Sequence, residues 1–157
     1  MSVDAADPRA VAAAGLKLAG LDYVRAIFAG ELPAPPISEL MGFRLVDAAA
    51  GRAVFEMTPG PQHYNPIGSV HGGIALTLLD SAMGCAVHST LDPGDIYTTL
   101  EFKINFMRAL THETGEVQGI GTVINVTRTT AVAEGRIEDA SGKLYAFATS
   151  TCVIRRK

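Results

Sequence analysis

The 157-residue chain has no tryptophan and only two cysteines, Cys85 and Cys152. Two cysteines outside any CxxC spacing cannot form the multi-bridge framework of a small secreted scaffold. They read as reduced core thiols of a cytoplasmic protein. Charge is scarce as well, at 18% of residues, and 13 Lys and Arg against 16 Asp and Glu give a net −3. No basic excess exists to neutralise a phosphate backbone, so nucleic acid is not an expected partner. Long apolar runs are missing too. No segment reaches the ~18 uninterrupted apolar residues of a membrane span. The first residues carry Asp4 and Asp7 where an export signal wants positive charge, and the run Val11–Leu16 stops at Lys17.

What the chain does have is apolar mass. Hydrophobic residues make up 48% of it, which excludes intrinsic disorder. One domain of this length buries roughly two-thirds of its unfolded surface. The apolar excess points to a second copy covering part of what remains.

Several familiar constellations are absent. No GxxxxGK(S/T) loop occurs, and Gly119-Ile120-Gly121 lacks a third glycine and a following helix. His63, His71, His88 and His112 show no metal-ligand spacing, so no metal is expected. No serine sits in a GxSxG elbow. Asn125-Val126-Thr127 matches a glycosylation triplet but falls inside a strand pattern.

Along the chain, Asp7-Pro8 reads as a helix cap and first turn. Val11, Ala14, Leu18, Leu21, Val24 and Phe28 follow at near-helical spacing, and Pro33, Pro35 and Pro36 end any helix. Residues 1–37 are expected to be a helical appendage with a proline-rich connector, and residues 38–157 the main domain. MGFRLV and RAVFEMT flank Gly51 as a strand pair. From Gly72 to Val87 the only clearly polar side chains are Thr77, Asp80 and Ser81, so this helix belongs in a core. Four strand patterns follow, beginning with TTLEFKINFM. There strict alternation groups Thr98, Leu100, Phe102, Ile104 and Phe106 on one face, with Thr99 on the other. Helix and strands are segregated, so the class is α+β: an antiparallel sheet of about six strands around one buried helix.

The segment Asn65-Pro66-Ile67-Gly68-Ser69-Val70-His71-Gly72-Gly73 opens that helix. The first amides of a helix lack internal partners and carry partial positive charge. With glycine there, a ligand carbonyl can approach and be stabilised as an oxyanion. Glycines also permit tight helix–sheet packing, and the pattern fits both readings. Asp80 is the second feature. A carboxylate on so apolar a helix is expensive to bury, and as a general base or nucleophile it has a use. A surface Asp bonded to Thr77 or Ser81 is the plain alternative. Eight residues separate Gly72 from Asp80, roughly 12 Å along a helix. One helix cannot present both to one carbon, so such chemistry requires a dimer with two shared sites.

The run N-P-I-G-S-V-H-G-G-I-A-L-T-L-L-D resembles the signature of hotdog-fold acyl-CoA thioesterases of the PaaI-like group, over about residues 38–154. T-T-L-E-F-K-I-N-F and D-A-S-G-K-L-Y-A-F-A-T-S-T add weaker likeness. The resemblance implies a thioester hydrolase acting on aromatic or medium-chain acyl-CoA. It also implies a homodimer, commonly paired into a tetramer, with sites at the dimer interface and no cofactor beyond the coenzyme A of the substrate. By position, Asp80 matches the catalytic carboxylate and Gly72 the backbone N–H that polarises the carbonyl. His71, Asn65 and Thr99 match helpers of substrate and water. Thr98 is the rival of Thr99. Gly73, Leu100 and Arg128 are the remaining candidates for substrate contact. The same scaffold could instead serve an acyl-CoA-binding protein without catalysis. A hydratase reading lacks a close His–carboxylate pair.

Overall fold

The structure, a computed structural model, describes residues 7–157. The first six residues of the expected appendage, Asp4 among them, lie outside that range. The expected helical spacing of the N-terminal segment is divided between two helices, α1 (Pro8–Gly15) and α2 (Gly20–Phe28). Asp7 caps α1, its carboxylate accepting from the Arg9 N–H at 2.9 Å. A third helix, α3 (Pro36–Met41), corrects the sequence reading: Pro36 opens a helix rather than ending one. The first helical position needs no N–H, so proline fits there.

Six strands make one antiparallel sheet. They are β1 (Phe43–Ala49), β2 (Arg52–Met57), β3 (Ile96–Phe106), β4 (Val117–Val126), β5 (Thr130–Asp139) and β6 (Leu144–Arg155). Their spatial order is β1-β2-β4-β5-β6-β3, which leaves β1 and β3 at the edges. Gly51, with φ of 74°, makes the β1–β2 turn that a side chain would strain. The long helix α4 (Gly72–His88) packs on the inner face of the sheet.

The sequence dictates how close that packing is. Register places Ala53, Gly121, Gly135 and Ala148 in one row across four strands. A Cβ on Gly121 would lie 2.3 Å from the Ala82 carbonyl oxygen, so backbone meets backbone there. Leu78, Leu79, Ala82, Met83, Ala86 and Val87 of α4 are buried against this row. Burying several such aliphatic side chains, each stabilising by about 1.5–3 kcal/mol, anchors the helix.

One face assignment is corrected. Pairing of β3 with β6 shifts between Thr99 and Glu101, so Leu100 forms a β-bulge. Tyr97 and Thr99 face α4 before it, and Phe102 and Ile104 pack on the core after it. Thr98, which alternation grouped with Phe102, is on the outer side with its partner Val153. The buried Ser150 hydroxyl donates to the Glu101 carbonyl at 3.0 Å, giving the bulged backbone a partner.

α2 closes the side of α4 that the sheet leaves open, and only in part. Its first amide, Gly20 N–H, donates to the Leu91 carbonyl at 2.9 Å. A Cβ on Gly20 would lie 1.7 Å from the His88 carbonyl oxygen. The Tyr23 ring stacks obliquely on His88 with 5.0 Å between centroids, and His88 meets Tyr97 edge-on at 5.5 Å. Both cysteines are free. No helix among the described residues is long and apolar enough to cross a membrane.

Candidate active site

The turn before α4 is built by Asn65. Its Oδ1 accepts from the Ile67 and Ser69 amides at 3.1 and 3.2 Å, and its Nδ2 donates to the Ser69 hydroxyl at 3.1 Å. The side chain is therefore largely committed to its own loop. A short 3-10 turn precedes it, with the buried His63 Nδ1 accepting from the Gly60 amide. Val70 N–H donates to the Leu110 carbonyl at 3.0 Å, which ties this loop to the segment after β3.

His71 is the N-cap of α4. Its Nδ1 accepts from the Gly73 N–H at 2.9 Å, and its carbonyl accepts from the Ile74 N–H. Gly72 N–H makes no hydrogen bond to any described residue. The cap thus consumes the neighbouring amides and leaves one donor, at the positive end of a 17-residue helix. Gly72 leaves its amide bare and at the same time serves the packing. A Cβ there would lie 2.8 Å from the Phe106 ring, so the glycine also permits close packing.

That donor faces a cavity of about 400 Å³ whose lining includes Asn65, His71, Gly72, Phe106, Arg108 and Tyr145. No carboxylate of the described residues lines it. Arg108 escaped the sequence reading. The only signal was a cation directly after the β3 pattern, in Phe106-Met107-Arg108.

Asp80 is elsewhere on the same helix. Burial was expected from its apolar neighbours, yet in the single chain its side chain is exposed. The reason is that neither α2 nor the sheet covers the N-terminal half of that face, where Leu76 is also exposed. Its partner is neither Thr77 nor Ser81. Thr77 donates to the Gly73 carbonyl, whereas the Thr99 hydroxyl donates to Asp80 Oδ1 at 3.1 Å. The bulge at Leu100 decides between the two threonines, because it brings Thr99 and not Thr98 onto the helix side.

The remaining candidates scatter. Gly73 is committed to the cap. Leu100 is 63% exposed on the edge strand. Arg128 sits in the β4–β5 hairpin, where Thr129 accepts from the Ile154 amide. Ala146, at the far end of β6, lines the cavity instead. The structure thus places two features on one chain: an amide without a partner among the described residues in a cavity, and a carboxylate with a hydroxyl one face away.

Residues 67–146, just over half of the chain, match the thioesterase superfamily. The chain belongs to that superfamily. A relative from Listeria monocytogenes, 1,4-dihydroxy-2-naphthoyl-CoA hydrolase, is 25% identical over 121 residues, covering 77% of this chain and 97% of that protein. A variant of the phenylacetic acid degradation protein PaaI from Thermus thermophilus superposes with a TM-score of 0.69 at 27% identity, covering 76% and 98% of the two chains. E. coli PaaI superposes at 0.75, covering 90% and 96%, and at 21% identity it speaks for the fold alone. The architecture is the hotdog fold, and superfamily membership supports thioester hydrolysis as the general activity.

Proposed function

We infer that the protein hydrolyses acyl-CoA thioesters at two equivalent sites, each shared by a homodimer. Gly72 N–H of one subunit holds the carbonyl oxygen. Asp80 of the other acts on the carbonyl carbon, with Thr99 orienting the carboxylate. The observation carrying this reading is the division of labour along α4. One unpaired amide faces a cavity that no carboxylate of the described residues lines, and the exposed acid lies roughly 12 Å further along the same helix. An antiparallel second copy brings the two halves together. The unpaired β3 edge with exposed Ile96, Leu100 and Phe106 supplies apolar surface for that copy.

The reaction needs charge stabilisation more than a strong acid. A water oxygen attacks the carbonyl carbon as Asp80 takes the water proton. Negative charge gathers on the oxygen facing Gly72 N–H, and the carbon–sulfur bond breaks as the tetrahedral adduct collapses. The thiolate of coenzyme A leaves and is protonated; a thiol pKa near ~8.5 makes it a good leaving group. Direct attack by Asp80 to form an anhydride uses the same placement, and single-turnover hydrolysis in labelled water separates the routes. The acyl group is assigned to the aromatic or medium-chain class, in line with the Listeria relative's named substrate. His71 serves as the cap that leaves Gly72 free, and Asn65 shapes the rim. A cytoplasmic address fits the two free thiols. A dimer of dimers is the expected assembly.

The test is thiol release from a panel of aromatic and medium-chain acyl-CoAs, with wild-type protein and Asp80→Asn. Turnover by the wild type and a fall of about 10³-fold in the variant, with the dimer intact, is the expected result. Equal rates in the two proteins would remove Asp80 from the chemistry. Tight binding of acyl-CoA without any thiol release would point to the non-catalytic alternative.

A further inference from the structure

The cavity at Gly72 contains one feature that the hydrolysis steps do not use. Arg108 is the only Lys or Arg in its lining. Its position follows from how β3 ends. Met107 and Arg108 amides both donate to the Tyr145 carbonyl, at 2.8 and 3.2 Å, so the ladder breaks and the chain turns along the cavity wall. The guanidinium is then held by one contact, Nη1 donating to the Leu144 carbonyl at 2.6 Å. Its other N–H groups have no partner among the described residues. Arg44, Arg52, Arg136 and Arg156 each face a carboxylate within 4.0 Å, whereas Arg108, like Arg9, Arg25, Arg128 and Arg155, faces none among the described residues; what sets Arg108 apart is its place in the wall of this cavity. Arg108 is an exposed side chain tethered by one backbone carbonyl, with the rest of its fork of donors free, in a cavity that no carboxylate of the described residues lines.

We propose that Arg108 is a substrate-binding residue that takes an anionic oxygen pair of the thioester substrate. This rests on the acyl-CoA reading above. A guanidinium pairs two-pronged with phosphate or carboxylate, and on a chain of net charge −3 such an anion needs a local cation. Two sources offer that chemistry: the phosphates of coenzyme A, or a carboxylate on the acyl group. Because Gly72 N–H and not Arg108 meets the carbonyl oxygen, the residue acts on affinity rather than on the chemical step.

The experiment compares wild type, Arg108→Ala and Arg108→Lys with four thioesters. These are octanoyl-CoA, octanoyl-N-acetylcysteamine, adipoyl-CoA and adipoyl-N-acetylcysteamine. Arg108→Ala is expected to raise KM about tenfold or more for the anionic substrates, with kcat within about twofold and partial recovery in Arg108→Lys. A rise shared by both CoA thioesters and absent from octanoyl-N-acetylcysteamine assigns the anion to coenzyme A phosphate. A rise confined to the adipoyl thioesters, on either carrier, assigns it to the acyl carboxylate. An unchanged KM throughout, or an equal rise for the neutral octanoyl-N-acetylcysteamine, overturns the proposal. If the wild type releases thiol from none of the four, the hydrolase reading fails on its own. Calorimetric titration with coenzyme A and adipoyl-CoA then decides Arg108: weaker binding by Arg108→Ala supports it, and equal or no binding by both proteins overturns it.

Discussion

The two halves of α4 are built from the same apolar sequence and are treated in opposite ways. From Cys85 to His88 the helix is covered by the chain itself, with Ala86 and Val87 buried and Cys85 and His88 half-buried. Val24 and Cys85 line one cavity between α2 and the β1–β2 side, Gly20 abuts the His88 carbonyl, and His88 lies between two tyrosine rings. Burial pushes the Cys85 thiol up to about 12, so it is inert packing rather than a nucleophile. From Gly72 to Asp80 the same helix leaves an amide unpaired, a leucine exposed and a carboxylate open to solvent. The fold covers one part with its own N-terminal helix and leaves the other bare, and the proposed dimer would use the bare part. The lesson is that an exposed acid on an apolar helix is to be read against what the covered part shows the fold can cover.

The sharpest way to break this contrast is to damage each open half-site separately. Gly72→Pro removes the N–H at a first helical position where proline is tolerated, and His71, at φ −62° and ψ 133°, already has the extended backbone that a following proline requires. Its rate is expected to fall about 10²–10³-fold. The new ring atoms also meet the Phe106 ring, 2.8 Å from a Cβ at this position, so Gly72→Ala, which keeps the N–H, is the control and should retain most of the rate. Mixing Gly72→Pro with Asp80→Asn chains should then restore activity, because one site in each mixed dimer is intact. No recovery after subunit exchange would place both groups on one chain's site. On the sealed half, Gly20→Val drives a side chain into the His88 carbonyl. Calorimetry should show melting lowered by roughly 3–10 °C. An unchanged melt would mean that α2 contributes nothing to closing the helix.

A smaller effect separates the two faces of β3. Thr99→Val removes the hydroxyl from Asp80 and should lower kcat about tenfold, while Thr98→Val leaves it unchanged. Equal kinetics for both would reject the bulge-based assignment. The smallest effect is a pH dependence on the sealed side. Burial lowers the His88 pKa, so the unfolded chain binds the proton more readily than the folded one. Its contribution to stability is complete above the unfolded value of about 6.5 and is lost progressively as pH falls from there through the lowered folded pKa. Thermal melts between pH 7.5 and 5.5 should fall for wild type, and His88→Gln should flatten the slope. The Asp139 carboxyl, held down to about 2 chiefly by the Ser141 hydroxyl, acts only in more acid solution and leaves this window clear.

Much of this was legible from residues in order. The apolar run from Gly72 to Val87 specified a buried helix, and the alternating runs specified strands, because each period matches one backbone geometry. The segment His71-Gly72 announced a helix start with bare amides. The bulge was not legible: Leu100 continues the alternation, and only the Ser150 hydroxyl on the neighbouring strand reveals why the backbone departs from it. Arg108 was not legible either, since nothing local distinguishes it from Arg136 or Arg44. Pro36 misled because a proline that ends one helix is chemically suited to begin the next.

By itself, the sequence determined the α+β class, the helix with its glycine entrance, and Asp80 as its one carboxylate. These are properties of periodicity and of side-chain chemistry, which neighbours along the chain suffice to define. Tertiary structure decided which threonine meets Asp80, which arginine enters the cavity, and which half of α4 stays open. Those depend on register and on docking between distant segments, where a shift of one residue turns a side chain to the opposite face.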